Sequence, residues 1–167
     1  NYHKLLIVSD VAIIPYPDLH QKVTMTGYLI DMAHRLGIEI PKVALIAATE
    51  QVLQDIPACT EAAIIAKMAE RGQITGALVD GPLAFDVAID KESAAIKNII
   101  SPVAGDADCL LFPNIDAGNV FYKMNTKFCK SEQAANVVGA KVPIVLSSRG
   151  DSMQTKLYSI ALAAFLG

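Results

Sequence analysis

Short apolar runs alternate with longer segments of helical spacing along the whole chain. Residues 5–8 (Leu-Leu-Ile-Val) form a β-like run that ends at Ser9-Asp10, and Pro15 and Pro17 then break regular structure. Asp18 is placed to cap a helix reaching about Leu36, in which Val23, Met25, Leu29, Met32, Ala33 and Leu36 recur at roughly helical intervals, with Gly37 as its stop. Pro41 leads into a near-continuous apolar strand over residues 42–48. The rhythm then repeats. Thr60 is expected to cap a helix through Glu70, with Gly72 just beyond, and residues 76–79 read as a strand finishing at Asp80-Gly81-Pro82. Residues 85–100 predict one or two helical pieces with Asp90 as the cap between them. A buried strand at 107–112, a helix at 115–130, a last strand at 142–146 and a helix from about Ser152 to Leu166 complete the pattern.

Strands without clean alternation, separated by helices, predict an α/β fold with a mostly parallel sheet covered on both faces. Ligand sites in such sheets gather at the strand ends, where βα loops and helix N-termini meet. Three polar motifs are expected just after strands: Asp80-Gly81-Pro82, residues 113–119 and residues 147–152. No internal repeat and no linker-like stretch divides the chain.

Composition narrows the function classes. Of 167 residues, 53% are hydrophobic and 19% charged, which is ample for a core and leaves apolar surface to be covered by a subunit or another domain. No stretch approaches the ~20 apolar residues of a membrane helix, and no basic stripe points to nucleic acid; the net charge is −3. No signal-peptide pattern is present, and the three cysteines (Cys59, Cys109, Cys129) have no C-x-x-C spacing, so a reducing, cytoplasmic setting is expected. Asn1 is not an initiator methionine, which leads us to expect material upstream. His3, His20 and His34 are scattered, so no metal site is expected. Dinucleotide, P-loop, nucleophile-elbow and zincin signatures are absent.

The run Ser147-Ser148-Arg149-Gly150-Asp151-Ser152 joins a strand to a helix. Hydroxyls, an arginine and a glycine at a helix start make an oxyanion or phosphate site, with Arg149 able to grip an anion bidentately. The plainer alternative is that Ser152 caps the helix and Arg149 is a solvated charge. Arg149-Gly150-Asp151 also matches an integrin-binding tripeptide. In residues 112–119, Gly118 permits close backbone approach while Asp116 and Asn119 offer polar contacts, or the segment is simply a capped turn. Asp80-Gly81-Pro82 has the same two readings.

Taken in order, these segments resemble the phosphate acetyl/butyryltransferase family, closest to its butyryltransferase branch. Asp80-Gly81-Pro82-Leu83-Ala84-Phe85-Asp86 is similar to the family's D-G-P-L-x-F-D, and Ser101-Pro102-Val103-Ala104-Gly105 to its S-P-V-A-G. Phe112-Pro113-Asn114, Ala117-Gly118-Asn119 and Tyr122-Lys123 resemble F-P-D-x-x-A-G-N-x-x-Y-K, and the series ends at Ser148-Arg149-Gly150. The resemblance implies a three-layer fold like that of isocitrate and isopropylmalate dehydrogenases, with the active site in an interdomain cleft. It implies that residues 5–139 form the second, cleft-forming domain, and that residues 140–167 return to a largely absent first domain. On that division the isolated chain is expected to be inactive.

The resemblance further implies direct exchange of a short or branched acyl group between coenzyme A and inorganic phosphate, both substrates, with no bound cofactor and a homo-oligomeric assembly. By position, Arg149 is implied to bind the phosphate and Ser148 to stabilise the carbonyl oxygen. Lys127 stands where acetyltransferases have a second arginine, keeping the charge without the bidentate fork. Thr155 stands where acetyltransferases have an aspartate base, and Asp151 is the substitute candidate. Gly118, Asn119, Ser147, Asp80, Gly81 and Pro82 are the remaining candidates for substrate binding. The competing readings are a phosphate acetyltransferase, a dehydrogenase sharing the fold, and a non-catalytic adhesive or subunit-contact module using Arg149-Gly150-Asp151.

Overall fold

The computed structural model describes residues 2–167, which divide into two compact units, one extending to Asn119 and the other Val120–Gly167. The first unit is α/β. Strands β1 (Ile7–Ser9), β2 (Lys42–Ile46), β3 (Leu78–Leu83) and β4 (Cys109–Leu111) form one parallel sheet in the order β1-β4-β2-β3.

Helix α1 (Leu19–Arg35) starts where expected. The Asp18 carboxylate accepts the Gln21 N–H at 2.8 Å, and the Gln21 side chain accepts the Asp18 N–H at 2.9 Å, a reciprocal capping box. It ends at Leu36, followed by Gly37 at φ +86°, a conformation that favours glycine. Met25, Leu29, Ile30 and Ala33 form its buried face, packed on Val43 and Leu45 of β2 and on Cys109 and Leu111 of β4. Ala62 and Ile65 of α2 (Pro57–Glu70) complete that core. Burying a side chain such as Leu29 contributes about 1.5–3 kcal/mol. Ala44 and Leu110, alternating with these strand residues, are fully buried as well, and α3 (Phe85–Ile89) contacts β2. Both faces of the sheet are therefore covered, which explains the near-continuous apolar strands. Lys22, the buried charge on α1, pairs with Glu61 of α2.

At the amino ends of the strands lies an ion cluster. Asp106 receives Lys42 Nζ at 2.7 Å, Lys4 Nζ at 3.1 Å and His3 Nε2 at 3.0 Å; Asp108 receives Lys4 at 2.7 Å and the Lys42 N–H at 2.8 Å. The hydrogen bond from Lys42, helped by Lys4 and His3, holds the Asp106 carboxyl well below the usual carboxylate range. Burial pulls the Lys4 ammonium down, but its bonds to Asp108 and Asp106 outweigh that and keep it above its ordinary value.

Three expectations need correction. Helix α2 begins at Pro57, not at a Thr60 cap: proline suits the first helical position because its missing N–H needs no partner there, and Thr60 Oγ1 instead bonds the Pro57 carbonyl at 3.0 Å. Strand β3 begins at Leu78 and runs on through Asp80, Gly81 and Pro82 to Leu83, so that motif is part of the sheet. The apolar run at 142–146 does not join the parallel sheet. Its strand β6 (Ile144–Val145) pairs antiparallel with β5 (Asn136–Val137), a strand that no sequence pattern announced, and both residues of β6 are exposed.

Asp90 does cap α4 (Lys91–Ile96), its carboxylate accepting the Ser93 N–H at 2.8 Å. Helix α5 (Ile115–Met124) continues into a π-helical turn, Asn125–Cys129, that ends at Lys130 in the left-handed conformation. Helix α6 (Met153–Leu166) is capped by Ser152, whose Oγ accepts the Thr155 N–H at 3.1 Å.

Candidate functional site

In the first unit, the candidates are woven into the backbone. Gly81 lies against β2: a Cβ there would sit 2.6 Å from Leu45 Cβ and 2.8 Å from the Leu45 carbonyl oxygen, so glycine lets β3 approach at this point. The Asp80 carboxylate turns back to accept the Gly81 N–H at 2.8 Å, and Pro82 is buried. The ladder between β2 and β3 shifts register here, pairing Ala44 with Asp80 and Ile46 with Leu83.

Gly118 and Asn119 hold the loop after β1. The Asp10 carbonyl presses on Gly118, where a Cβ would stand 2.1 Å from its oxygen. Asn119 Nδ2 donates to the Val11 carbonyl at 2.8 Å, and the Ile115 N–H donates to the Pro15 carbonyl at 3.0 Å. The Asp10 carboxylate closes the same loop by accepting the N–H groups of Ala12, Ile13 and Ile14 at 2.6–3.2 Å. Asp10 was not singled out in the sequence; only its place after an apolar run could have marked it.

In the second unit, Ser148, Arg149, Asp151 and Lys127 come together. Residues 148–151 form a turn closed by the Asp151 N–H donating to the Ser148 carbonyl at 3.1 Å. The Asp151 carboxylate answers through Oδ2, which accepts the Ser148 N–H at 2.6 Å. Arg149 and Gly150 form the exposed tip, and the Arg149 guanidinium has no hydrogen-bond or ion-pair partner among the described residues. Ser148 is exposed, with its Oγ 3.4 Å from the Gly150 N–H; Ser147, before it, is half-buried.

The π-helical turn carries Lys127 to this tip, where Nζ donates to the Gly150 carbonyl at 3.3 Å. Such turns within helices concentrate at functional sites. Thr126 Oγ1 braces it by donating to the Tyr122 carbonyl at 2.8 Å, and Asn125 Nδ2 does the same to Phe121 at 3.0 Å. The turn carries Ser148 and Arg149 shortly before α6, with the Lys127 ammonium at its tip, a setting suited to an anion.

Tyr122 is the residue that sequence reasoning passed over. Its hydroxyl donates to Asp151 Oδ2 at 3.0 Å. Burial, reinforced by that bond and by the carboxylate charge, pushes the phenol up to about 12. Its place in the Tyr122-Lys123 pair was the available signal. Thr155 is buried in the first turn of α6, with its Oγ1 3.1 Å from Ser152 Oγ, so it serves the helix start.

Asp151 is engaged within the turn rather than projecting from it, so the adhesive reading gains no support. Among the described residues, no group of three or more His, Cys, Asp and Glu side chains is placed to hold a metal ion, and no helix is long and apolar enough to cross a membrane.

Comparison with known proteins places these features. A family model described as phosphate acetyl/butaryl transferase matches residues 2–164. The phosphate acetyltransferase of Thermotoga maritima is 46% identical over 164 residues, covering 98% of this chain and 56% of its own. The phosphate butyryltransferase of Clostridium acetobutylicum is 46% identical over 166 residues, covering 99% and 55% respectively. The crystal structure of a branched-chain phosphotransacylase from Enterococcus faecalis matches with a TM-score of 0.86 at 34% identity, over 95% of this chain and 56% of that one. The chain spans about half the length of the curated relatives it matches. Since the match runs over nearly all of its own residues, the chain belongs to the phosphate acetyl/butaryl transferase family.

Proposed function

We propose that this chain serves a phosphate acyltransferase that moves a short or branched acyl group, of butyryl type, between coenzyme A and inorganic phosphate. The observation that carries the reading is the Ser148–Asp151 turn with Arg149, unpaired among the described residues, at its tip, in a chain whose family is acyl-transferring by name. In the direction that forms the thioester, Asp151 takes the thiol proton and the thiolate attacks the acyl-phosphate carbonyl carbon. The Ser148 hydroxyl donates to the oxyanion as it forms, and Arg149, aided by Lys127, holds the phosphate as it leaves with the electron pair of the broken C–O bond. Gly118, Asn119, Asp80, Gly81 and Pro82 of the first unit and Ser147 of the second are the remaining residues assigned to substrate binding on this reading.

The finer architecture belongs to the same proposal: a three-layer fold like that of isocitrate and isopropylmalate dehydrogenases, residues 5–139 forming a cleft-forming domain and 140–167 a segment returning to another. So do a cytoplasmic setting, the use of no bound cofactor, and a homo-oligomer. Support for assembly comes from Met153, Leu157, Ile160 and Phe165, which leave α6 with exposed apolar surface.

Relatives named for acetyl and for butyryl transfer are equally similar at 46%, so acetyl transfer is the second reading. Phosphate-dependent release of coenzyme A by the full-length protein, from butyryl-CoA and acetyl-CoA in parallel, tests both. Arg149→Ala is expected to lower kcat/KM about 10²–10³-fold. No release with either thioester, or an unchanged rate in Arg149→Ala, overturns the proposal.

A further inference from the structure

The second unit holds a contact whose consequence rests on the acyl-transfer reading. Asp151 Oδ2 accepts two hydrogen bonds, from the Ser148 N–H at 2.6 Å and from the Tyr122 hydroxyl at 3.0 Å. Among the described residues, Oδ1 accepts none. The two oxygens of one carboxylate are therefore unlike: one is held by a pair of donors and the other is open. Tyr122 is itself well anchored on α5, because its carbonyl receives Thr126 Oγ1 at 2.8 Å and Gln133 Nε2 at 3.4 Å. Among the described residues, Tyr122 and Lys127 are the side chains of this helical segment that bond the 148–151 turn, Lys127 through a carbonyl at the tip.

We propose that Tyr122 is a positioning residue for acyl transfer: by occupying Asp151 Oδ2 it fixes the carboxylate and the Ser148–Arg149 turn closed upon it, leaving Oδ1 as the oxygen that accepts the thiol proton. The atoms balance without a further reactant. The S–H bond of coenzyme A breaks and its proton passes to Oδ1; the S–C bond forms at the acyl carbonyl carbon; the C–O bond to phosphate breaks with its electron pair leaving on phosphate. The phenol keeps its proton throughout, consistent with its raised pKa. Without the hydroxyl, the carboxylate can rotate about its Cβ–Cγ bond, and neither Oδ1 nor the turn stays in the attacking geometry. A misplacement of about 1 Å at a reacting group can cost about 10²-fold in rate.

The test compares Tyr122→Phe, Asp151→Asn and the double variant in the full-length protein, by steady-state kinetics and thermal denaturation. Tyr122→Phe is expected to lower kcat about 10–100-fold, with KM for both substrates within about threefold and no fall in melting temperature beyond a few degrees. Asp151→Asn should lower kcat further, and adding Tyr122→Phe to it should cost little more, because the oxygen being positioned no longer serves as a base. An unchanged kcat in Tyr122→Phe beside an impaired Asp151→Asn overturns this inference while leaving the proposed function intact. A full-rate Asp151→Asn overturns the base assignment itself. A Tyr122→Phe that loses melting temperature and raises KM, or multiplies the defect of Asp151→Asn, shows a role in folding alone and also overturns it.

Discussion

Gly118→Ala separates a backbone role from a substrate-contact role at the junction between α5 and the loop after β1. The added Cβ would stand 2.1 Å from the Asp10 carbonyl oxygen, 3.1 Å from its carbon and 3.3 Å from Phe112 Cδ2. Relief requires the loop to move, yet it is tied by the Asp10 carboxylate to three N–H groups and by Asn119 to the Val11 carbonyl. Overpacking of this kind costs about 1–3 kcal/mol, and a clash with backbone belongs at the upper end. Alanine's better helix propensity offsets up to about 1 kcal/mol. The net destabilisation is then about 2 kcal/mol, a fall in melting temperature of about 4–8 °C for a chain of this size. Gly27→Ala is the internal control: Gly27 is exposed in α1 with nothing within 4 Å of the added atom, so only the propensity gain of about 0.5–1 kcal/mol applies. Urea denaturation of both variants, with comparable slopes, measures the difference. Gly118→Ala as stable as Gly27→Ala would refute the close approach. A selective rise in KM without loss of stability would make Gly118 a substrate contact instead.

Two further outcomes follow from the ion cluster and the thiols. Because the Asp106 pKa is depressed in the folded state, its contribution to stability is full above the unfolded value of about 3.9 and is lost progressively as pH falls from there through the much lower folded value. Wild type should therefore exceed Asp106→Asn in stability at pH 7, begin to lose that margin below about pH 4 and lose most of it by about pH 2; urea melts showing the same gap at pH 7 and pH 2 would contradict this. Cys109 is buried, which pushes its thiol up to about 12, and Cys59 is fully buried, whereas Cys129 is exposed. A thiol reagent should label one cysteine in the native protein and all three after unfolding; early labelling of Cys109 would show that the core described for β4 is wrong.

Much of the first unit was legible in the chain because its determinants are local. Asp18 reads as the cap of α1 because a cap acts within one helical turn, and Met25, Leu29 and Ala33 of the apolar spacing read there are buried, while the reading included neither the reciprocal bond at Gln21 nor the burial of Ile30. The motifs that identify the family are also contiguous, and the family itself was recognisable from them. Partnership between distant segments was not legible. The apolar run at 142–146 looked like a strand of the parallel sheet, but periodicity does not say which edge a strand will find, and it paired with Asn136 and Val137 instead. Asp80-Gly81-Pro82 reads as a turn by composition, yet the close approach to Leu45 draws it into β3.

The candidate site divides the same way. Sequence alone determined that Ser148, Arg149 and Asp151 share a short segment before a capped helix. Only the tertiary structure decided which oxygen of Asp151 is engaged, because Tyr122 lies 29 positions away and reaches it from another helix. It also decided that Lys127 meets the Gly150 carbonyl, through a π-helical turn whose side-chain bonds to α5 carbonyls no periodicity announces. The physical reason is common to both. Caps, turns and apolar faces depend on neighbours within a few residues, while hydrogen bonds across the fold depend on where those elements pack.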